Sequence, residues 1–350
     1  MTRSIAIAAA LLCSTAAYAE APRVVADIAP LHSLVAKVMG DVAQPKLLVE
    51  PTASPHSYAL RPSQAVALEE AHIVFFTSDG LTPWITTPLE TLASDALVFE
   101  VMADEANVHF EYRGSGGDHD HGHGHEDDHS DDHADDHKED YDENHADTHD
   151  DDHEDDHADD HEEEHPDGHG DGHDGHSDEG LDPHGWLDPE NAKIWLVQIA
   201  EALAKQDPEN AAKYQANAQA ALVELTALMV KLNAQLEPVK GNPYLVLHDA
   251  FQYFDRRFEL EFAGSIALGD ASAPSPARIV KAQEILEESN AACVFTEPQQ
   301  SDKLVKVVIG GTDVKIGELD ATGARLLPGP DLYTSLLQGL ADSFAICAKG

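Results

Sequence analysis

The chain has 350 residues, of which 66 are acidic and 21 basic, for a formal net charge of −45. That length allows two domains of ordinary size, and a charge of that sign makes nucleic acid and anionic lipid poor partners and cations good ones. The charge is concentrated: 30 Asp and Glu lie between Asp118 and Glu179 against a single basic residue, Lys138, so this segment carries −29 of the total.

Residues 1–19 read as an export signal. Arg3 supplies the positive start, residues 5–12 the apolar run, and Ala17-Tyr18-Ala19 the small-residue cleavage site, so the mature chain is expected to begin at Glu20. The run is shorter than the 20 or so helical residues a bilayer needs, and no later segment is long and apolar enough. The expected location is the periplasm, with no insertion into the membrane. Cleavage removes Cys13 and leaves Cys293 and Cys347, which an oxidising compartment favours as one disulfide between a late strand and the C-terminal helix. Two buried thiols or a thiolate metal site are the alternatives; with no C-x-x-C present, the metal reading is the weaker.

A strand is expected at 24–28, a helix at 31–39 and a second strand at 46–49. Arg61-Pro62-Ser63 opens a helix through Glu70, with Pro62 at the favoured first position. A third strand follows at 73–76. Strands alternating with helices imply a parallel sheet covered on both faces. Residues 114–180 have almost no apolar side chains and a dense like charge, so they are expected to be disordered without metal, as an insertion in a loop of the first lobe.

Helical patterns resume at 189–204 and at 208–236. In the second, Ala218, Leu222, Leu225, Leu228, Met229 and Leu232 are spaced three and four apart, with no glycine or proline between Glu209 and Glu237. Such a helix extends about 40 Å at 1.5 Å per residue. Strands are then expected at 244–247, 258–263, 292–295 and 314–316, with helices at 276–288, 302–309 and 331–347. The expected fold class is α/β: two lobes with parallel-rich sheets flanked by helices, joined by one long rigid linking helix. The boundaries are a signal peptide at 1–19, an N-terminal lobe at 20–207 containing the insertion, the linking helix at 208–237 and a C-terminal lobe at 238–350.

Of 22 histidines, 16 lie in the acidic segment. Three of the other six stand in loops beside strand ends, where open parallel sheets place ligands. His56 lies in Ser54-Pro55-His56-Ser57-Tyr58, His184 in Asp182-Pro183-His184-Gly185-Trp186, and His248 closes Tyr244-Leu245-Val246-Leu247-His248. Prolines around the first two restrict the backbone and reduce the freedom a metal site must freeze out. Neutral imidazoles suit zinc, which accepts three protein nitrogens plus one oxygen. Each histidine alone is an ordinary loop residue; together, beside a histidine-rich tract, they point to one metal site. His32 follows the first strand and is expected to line the cleft or cap the helix start, with metal ligation the lesser alternative. His72 reads as structural, and His109 as a loop residue.

These segments resemble the cluster A-I substrate-binding proteins of bacterial ABC metal importers, in their periplasmic zinc-binding (ZnuA-like) branch. The resemblance rests on Ser54-Pro55-His56-Ser57-Tyr58-Ala59-Leu60-Arg61-Pro62-Ser63, Asp182-Pro183-His184-Gly185-Trp186-Leu187-Asp188-Pro189 and His248-Asp249-Ala250-Phe251-Gln252-Tyr253-Phe254, with the histidine-rich insertion and the two late cysteines beside them. It covers essentially the whole mature chain. It implies two α/β lobes bridged by a rigid helix, with Zn2+ as the transported ligand in the cleft. His56 and His184 would come from one lobe and His248 from the other. Manganese-binding relatives carry Glu at the third position, so His248 favours zinc. One departure is Pro55, where many zinc-type relatives have Glu. The fourth ligand is then water or Asp331, whose segment Gly329-Pro330-Asp331 resembles the place where relatives supply an aspartate; Asp331 also fits a helix cap.

From His121 to His173 every fourth residue is histidine except Tyr141. His121, His125, His129, His133, His137, His145, His149, His153, His157, His161, His165, His169 and His173 would line one face of a helix, a spacing that can chelate zinc. The Asp pairs between them repel and have poor helix propensity, so no stable helix is expected without metal. The tract reads as a weaker, multi-ion zinc collector; an acidic spacer alone leaves the histidines unexplained. The expected partner is the inner-membrane ABC permease of a zinc importer, and the expected state a monomer. A zinc hydrolase is the less favoured alternative, since no H-E-x-x-H or G-x-S-x-G stands beside the three histidines. A zinc buffer would explain the tract but not three isolated histidines in ordered loops.

Overall fold

The structure, a computed structural model, describes residues 20–113, 180–267 and 274–349. The expected leader at 1–19 and the histidine tract lie outside the described residues. The N-terminal part contains β1 (Val24–Ala26), α1 (Ala29–Met39), β2 (Lys46–Leu47), α2 (Pro62–Glu69), β3 (Ile73–Phe76), α3 (Thr86–Leu92) and β4 (Leu97–Glu100). Two long helices follow, α4 (Pro189–Gln206) and α5 (Ala211–Leu236). The C-terminal part contains β5 (Tyr244–His248), α6 (Gln252–Phe258), β6 (Phe262–Ala267), α7 (Pro276–Ser289), β7 (Cys293–Thr296), α8 (Lys303–Val308), β8 (Lys315–Glu318) and α9 (Leu332–Lys349).

Each part holds a four-stranded sheet with every pair parallel, in the orders β2-β1-β3-β4 and β6-β5-β7-β8. The central strands are buried on both faces, as covered parallel sheets require: every residue of β3, β5 and β7 is buried. Helix starts follow local chemistry. Pro62, Pro189 and Pro276 occupy first-turn positions where a missing N–H costs nothing. Asp188 accepts the Glu190 N–H at 2.9 Å and Ser275 that of Arg278 at 3.3 Å, each satisfying a donor without an intrahelical partner.

The strand period of two sorts the side chains of β5. Tyr244 and Val246 face a core shared with Phe75, Trp195, Leu225, Phe295 and Leu337, whereas Leu245 and Leu247 face a second cluster with Ile266, Leu286, Val294 and Val305. The first cluster draws on both sheets and on α1, α4, α5 and α9. Within α5, Tyr214, Ala218, Ala221, Leu225, Leu232 and Leu236 are buried, so this single 26-residue helix packs along its length. Cys293 of β7 and Cys347 of α9 form a disulfide, with Cα atoms 6.1 Å apart. It closes a 54-residue separation, which on chain-entropy grounds stabilises the fold by about 4 kcal/mol.

One expected strand needs correcting. The strand expected at 258–263 begins later, at Phe262. Gln252–Phe258 is instead helix α6, ended by Glu259 in the left-handed region at φ 56°. Helix α3 and edge strand β4 had no counterpart in the sequence reading. Among the described residues no helix is long and apolar enough to cross a membrane.

Candidate metal centre

His248 is the last residue of β5, in register with the same face as Tyr244 and Val246, which turns its ring toward the N-terminal lobe. His56 belongs to the loop after β2. That loop is pinned at several points: Ser54 Oγ accepts the His56 N–H at 3.2 Å, Trp84 Nε1 donates to the Pro55 carbonyl at 2.7 Å, and Gln64 Nε2 donates to Tyr58 Oη at 2.8 Å. From the C-terminal lobe, Thr322 Oγ1 and Gln299 Nε2 donate to the Pro51 carbonyl at 2.8 and 3.1 Å.

His184 precedes the single 3₁₀ turn Gly185–Leu187 that leads into α4. A side chain on Gly185 would collide with Met102, since a Cβ there would lie 2.2 Å from Sδ. The glycine lets this turn pack closely against Met102. Trp186 then crosses to the other lobe, donating from Nε1 to the Ala321 carbonyl at 2.7 Å.

The three rings converge. Their nitrogens include one ligand atom from each residue, all within 4.8 Å of one another. Ring centroids are 5.4 Å apart for His56 and His184, 5.3 Å for His184 and His248, and 6.2 Å for His56 and His248. Three nitrogens on one tetrahedral zinc stand about 3.3 Å apart, given bonds of 2.0–2.1 Å. The trio is therefore arranged around a common point and needs only a small contraction to hold an ion. His184 and His248 are buried; His56 is partly exposed and forms the outer side.

Two carboxylates back the rings. His184 Nδ1 lies 2.7 Å from Asp182 Oδ1, which also accepts the His184 backbone N–H at 3.0 Å. His248 Nδ1 lies 3.0 Å from Glu297 Oε1. A carboxylate on Nδ1 fixes the tautomer and ring orientation and directs Nε2 to a metal. Burial pushes the Asp182 carboxyl up to about 7, opposed by the His184 backbone N–H it accepts and by the nearby Arg113 guanidinium.

The cavity at this point is about 120 Å³, lined from one side by Thr52, Pro55, His56, His184 and Trp186 and from the other by His248, Glu297, Gln299, Gln300 and Thr322. That volume suits an ion with a few waters and falls below the roughly 300 Å³ at which organic-ligand pockets begin.

Other histidines and Asp331 lie elsewhere. His32 neither caps α1 nor lines this cavity: it sits inside the helix, buried, with Nε2 3.1 Å from the Pro45 carbonyl. His72 Nε2 lies 2.8 Å from an Arg23 guanidinium nitrogen, and His109 Nε2 3.3 Å from the Asp104 carbonyl. The Asp331 side chain is 84 % exposed, 3.5 Å from Lys37 Nζ, and is not part of the cavity lining. Sequence reasoning missed Glu297 and Asp182. A register signal identifies Glu297: Val246 pairs with Phe295, so two residues further along each strand His248 and Glu297 come side by side.

A fold of two parallel-sheet lobes with a three-histidine cavity between their strand ends defines a class, the bilobed α/β substrate-binding proteins that take a small ion. Residues 24–347 match the family described as zinc-uptake complex component A, periplasmic. The chain belongs to that family, which comprises transport binding proteins rather than enzymes. It is 41 % identical over 349 residues to the high-affinity zinc uptake system protein ZnuA of Brucella abortus (strain 2308), with 98 % of each chain covered. It is also 41 % identical over 346 residues to that of Paracoccus denitrificans, covering 98 % of this chain and 97 % of the relative. Among solved structures, a crystal structure of ZnuA superposes with a TM-score of 0.68 at 21 % identity, covering 94 % of this chain and 99 % of that one. A zinc-bound ZnuA deletion mutant gives 0.68 at 22 %, covering 94 % and 98 %.

Proposed function

We propose that the protein captures one Zn2+ between its lobes on His56, His184 and His248 and delivers it to the membrane permease of a zinc ABC importer. The observation that carries this is the convergence of three imidazoles from both lobes, two of them backed by buried carboxylates. Water is the fourth ligand in this reading, which is supported by Asp331 lying beside Lys37 at the surface. All three protein ligands are nitrogens, which favours zinc over the harder manganese ion. The histidine tract collects further zinc at lower affinity.

Crystals of the zinc-loaded chain, measured at the zinc absorption edge, are expected to show one ion bonded to the three Nε2 atoms at about 2.0–2.1 Å. Rings aimed at separate points after loading would refute the proposal. Transfer of the ion to a reconstituted permease separates delivery from storage: a buffer protein would hold zinc without passing it on.

Glu297→Gln keeps the shape but weakens the acceptor on His248 Nδ1. Its expected effect is a loss of roughly 10–100-fold in zinc affinity, read by competition with a chromophoric chelator. An unchanged constant would mean that Glu297 does not orient His248.

A further inference from the structure

Residues 110–113 and 180–182 form a short antiparallel neck. Glu111 bridges Leu181, the Tyr112 N–H donates to the Gly180 carbonyl at 3.1 Å, and the Asp182 N–H to the Phe110 carbonyl at 2.8 Å. This neck lies against α6 of the C-terminal lobe. Tyr253 Oη accepts the Phe110 N–H at 3.2 Å and donates to the Asp182 carbonyl at 2.9 Å, while Gln252 Nε2 donates to the Glu111 carbonyl at 3.0 Å.

Arg113, on the neck's outgoing strand, ends in an enclosed cage. Its Nε donates to Asp249 Oδ2 at 2.9 Å, a second guanidinium nitrogen to Asp249 Oδ1, and Nη1 to Asp255 Oδ2 at 2.7 Å. The guanidinium lies 3.5 Å from the centroid of Phe262, and Tyr244 Oη donates to the same Asp255 oxygen at 2.8 Å. Exposure of the three charged side chains is 16 % for Arg113, 14 % for Asp249 and 2 % for Asp255. A planar fork that engages one carboxylate through two nitrogens and a second through a third fixes direction as well as distance.

Asp249 is the residue after His248. The other strand of the neck carries Asp182, which holds His184 through its backbone N–H and ring. Two histidines from opposite lobes are thus tied to the two strands of one ladder. We propose that Arg113 is a positioning residue for the metal site: by clamping Asp249 and Asp255 it sets His248 at ligand range of His184. The inference rests on the zinc-site reading above. Affinity depends on it because ligands held within about 0.5 Å of their bound geometry need little reordering when the ion arrives.

The test uses the full chain with one equivalent of zinc. Arg113→Lys keeps the charge and loses the fork; Arg113→Ala removes both, and should it fail to fold, the lysine variant and Asp249→Asn carry the test. Zinc affinity by chelator competition and zinc release by stopped flow are measured in the wild-type and His248→Ala backgrounds. Arg113→Lys is expected to weaken zinc roughly 10–100-fold and to speed release, as loss of an orienting partner does. In the His248→Ala background the same change is expected to alter affinity less than about twofold, because a residue acting through His248 couples to it in a double-mutant cycle. Affinity and release within twofold of wild type, or an equal loss in both backgrounds, would overturn the clamp while leaving the zinc site standing. A wild-type chain without one tight zinc ion would overturn both.

Discussion

His248→Ala is expected to raise the dissociation constant of the tightest zinc ion roughly a thousandfold, beyond the 10–100-fold typical when only an orienting partner is lost. His248 is the sole histidine of the trio from the C-terminal sheet. Without it the ion keeps two nitrogens, both from the N-terminal lobe, and solvent must fill the rest of its shell. The alanine also strands Glu297, a buried carboxylate whose ring partner has gone. Both effects oppose binding. Competition titration measures the change directly, and a constant equal to that of the wild type would remove His248 from the ligand set.

Deleting residues 118–179 is expected to reduce bound zinc from several ions per chain to one at neutral pH. The tightest constant should stay within a few-fold, because His56, His184 and His248 and the carboxylates of Asp182 and Glu297 behind them all lie outside the deleted stretch. The excision keeps the neck: Glu111 still bridges Leu181, and Asp182 still reaches His184. Metal content after equilibrium dialysis reads the stoichiometry. Retention of several ions would show that the tract is not the collector, and loss of the tight ion would show that the cavity is not an independent site.

Much of the architecture was legible because strong local signals coincide with tertiary need. Pro62 and Pro189 mark helix starts in the sequence and occupy them in the structure. The runs ending at Phe76 and His248 read as buried strands, and both are. Helix α6 was hidden because its seven residues are too few to show a helical period, and the apolar Phe258, Leu260 and Phe262 alternate as a strand would. Strand β4 was hidden for the opposite reason: as an edge strand it leaves Leu97 and Val98 exposed, so burial imprints little pattern on it. At the site, the histidines stood out by residue type and by their proline-bracketed loops. Glu297 did not, because a lone glutamate after a strand carries no mark until pairing of β5 with β7 sets it beside His248. Arg113 was equally silent, since its partners lie 136 and 142 residues away.

The apolar cluster that runs without interruption from Phe75 through α5 to Phe295 leaves no seam along which the halves could swing apart. Jaw-like opening would wet side chains such as Trp186 and Tyr333, whose hydrogen bonds already cross from one half to the other. On the proposed delivery role, release of the ion is expected to begin on the side of His56, the least enclosed of the three rings.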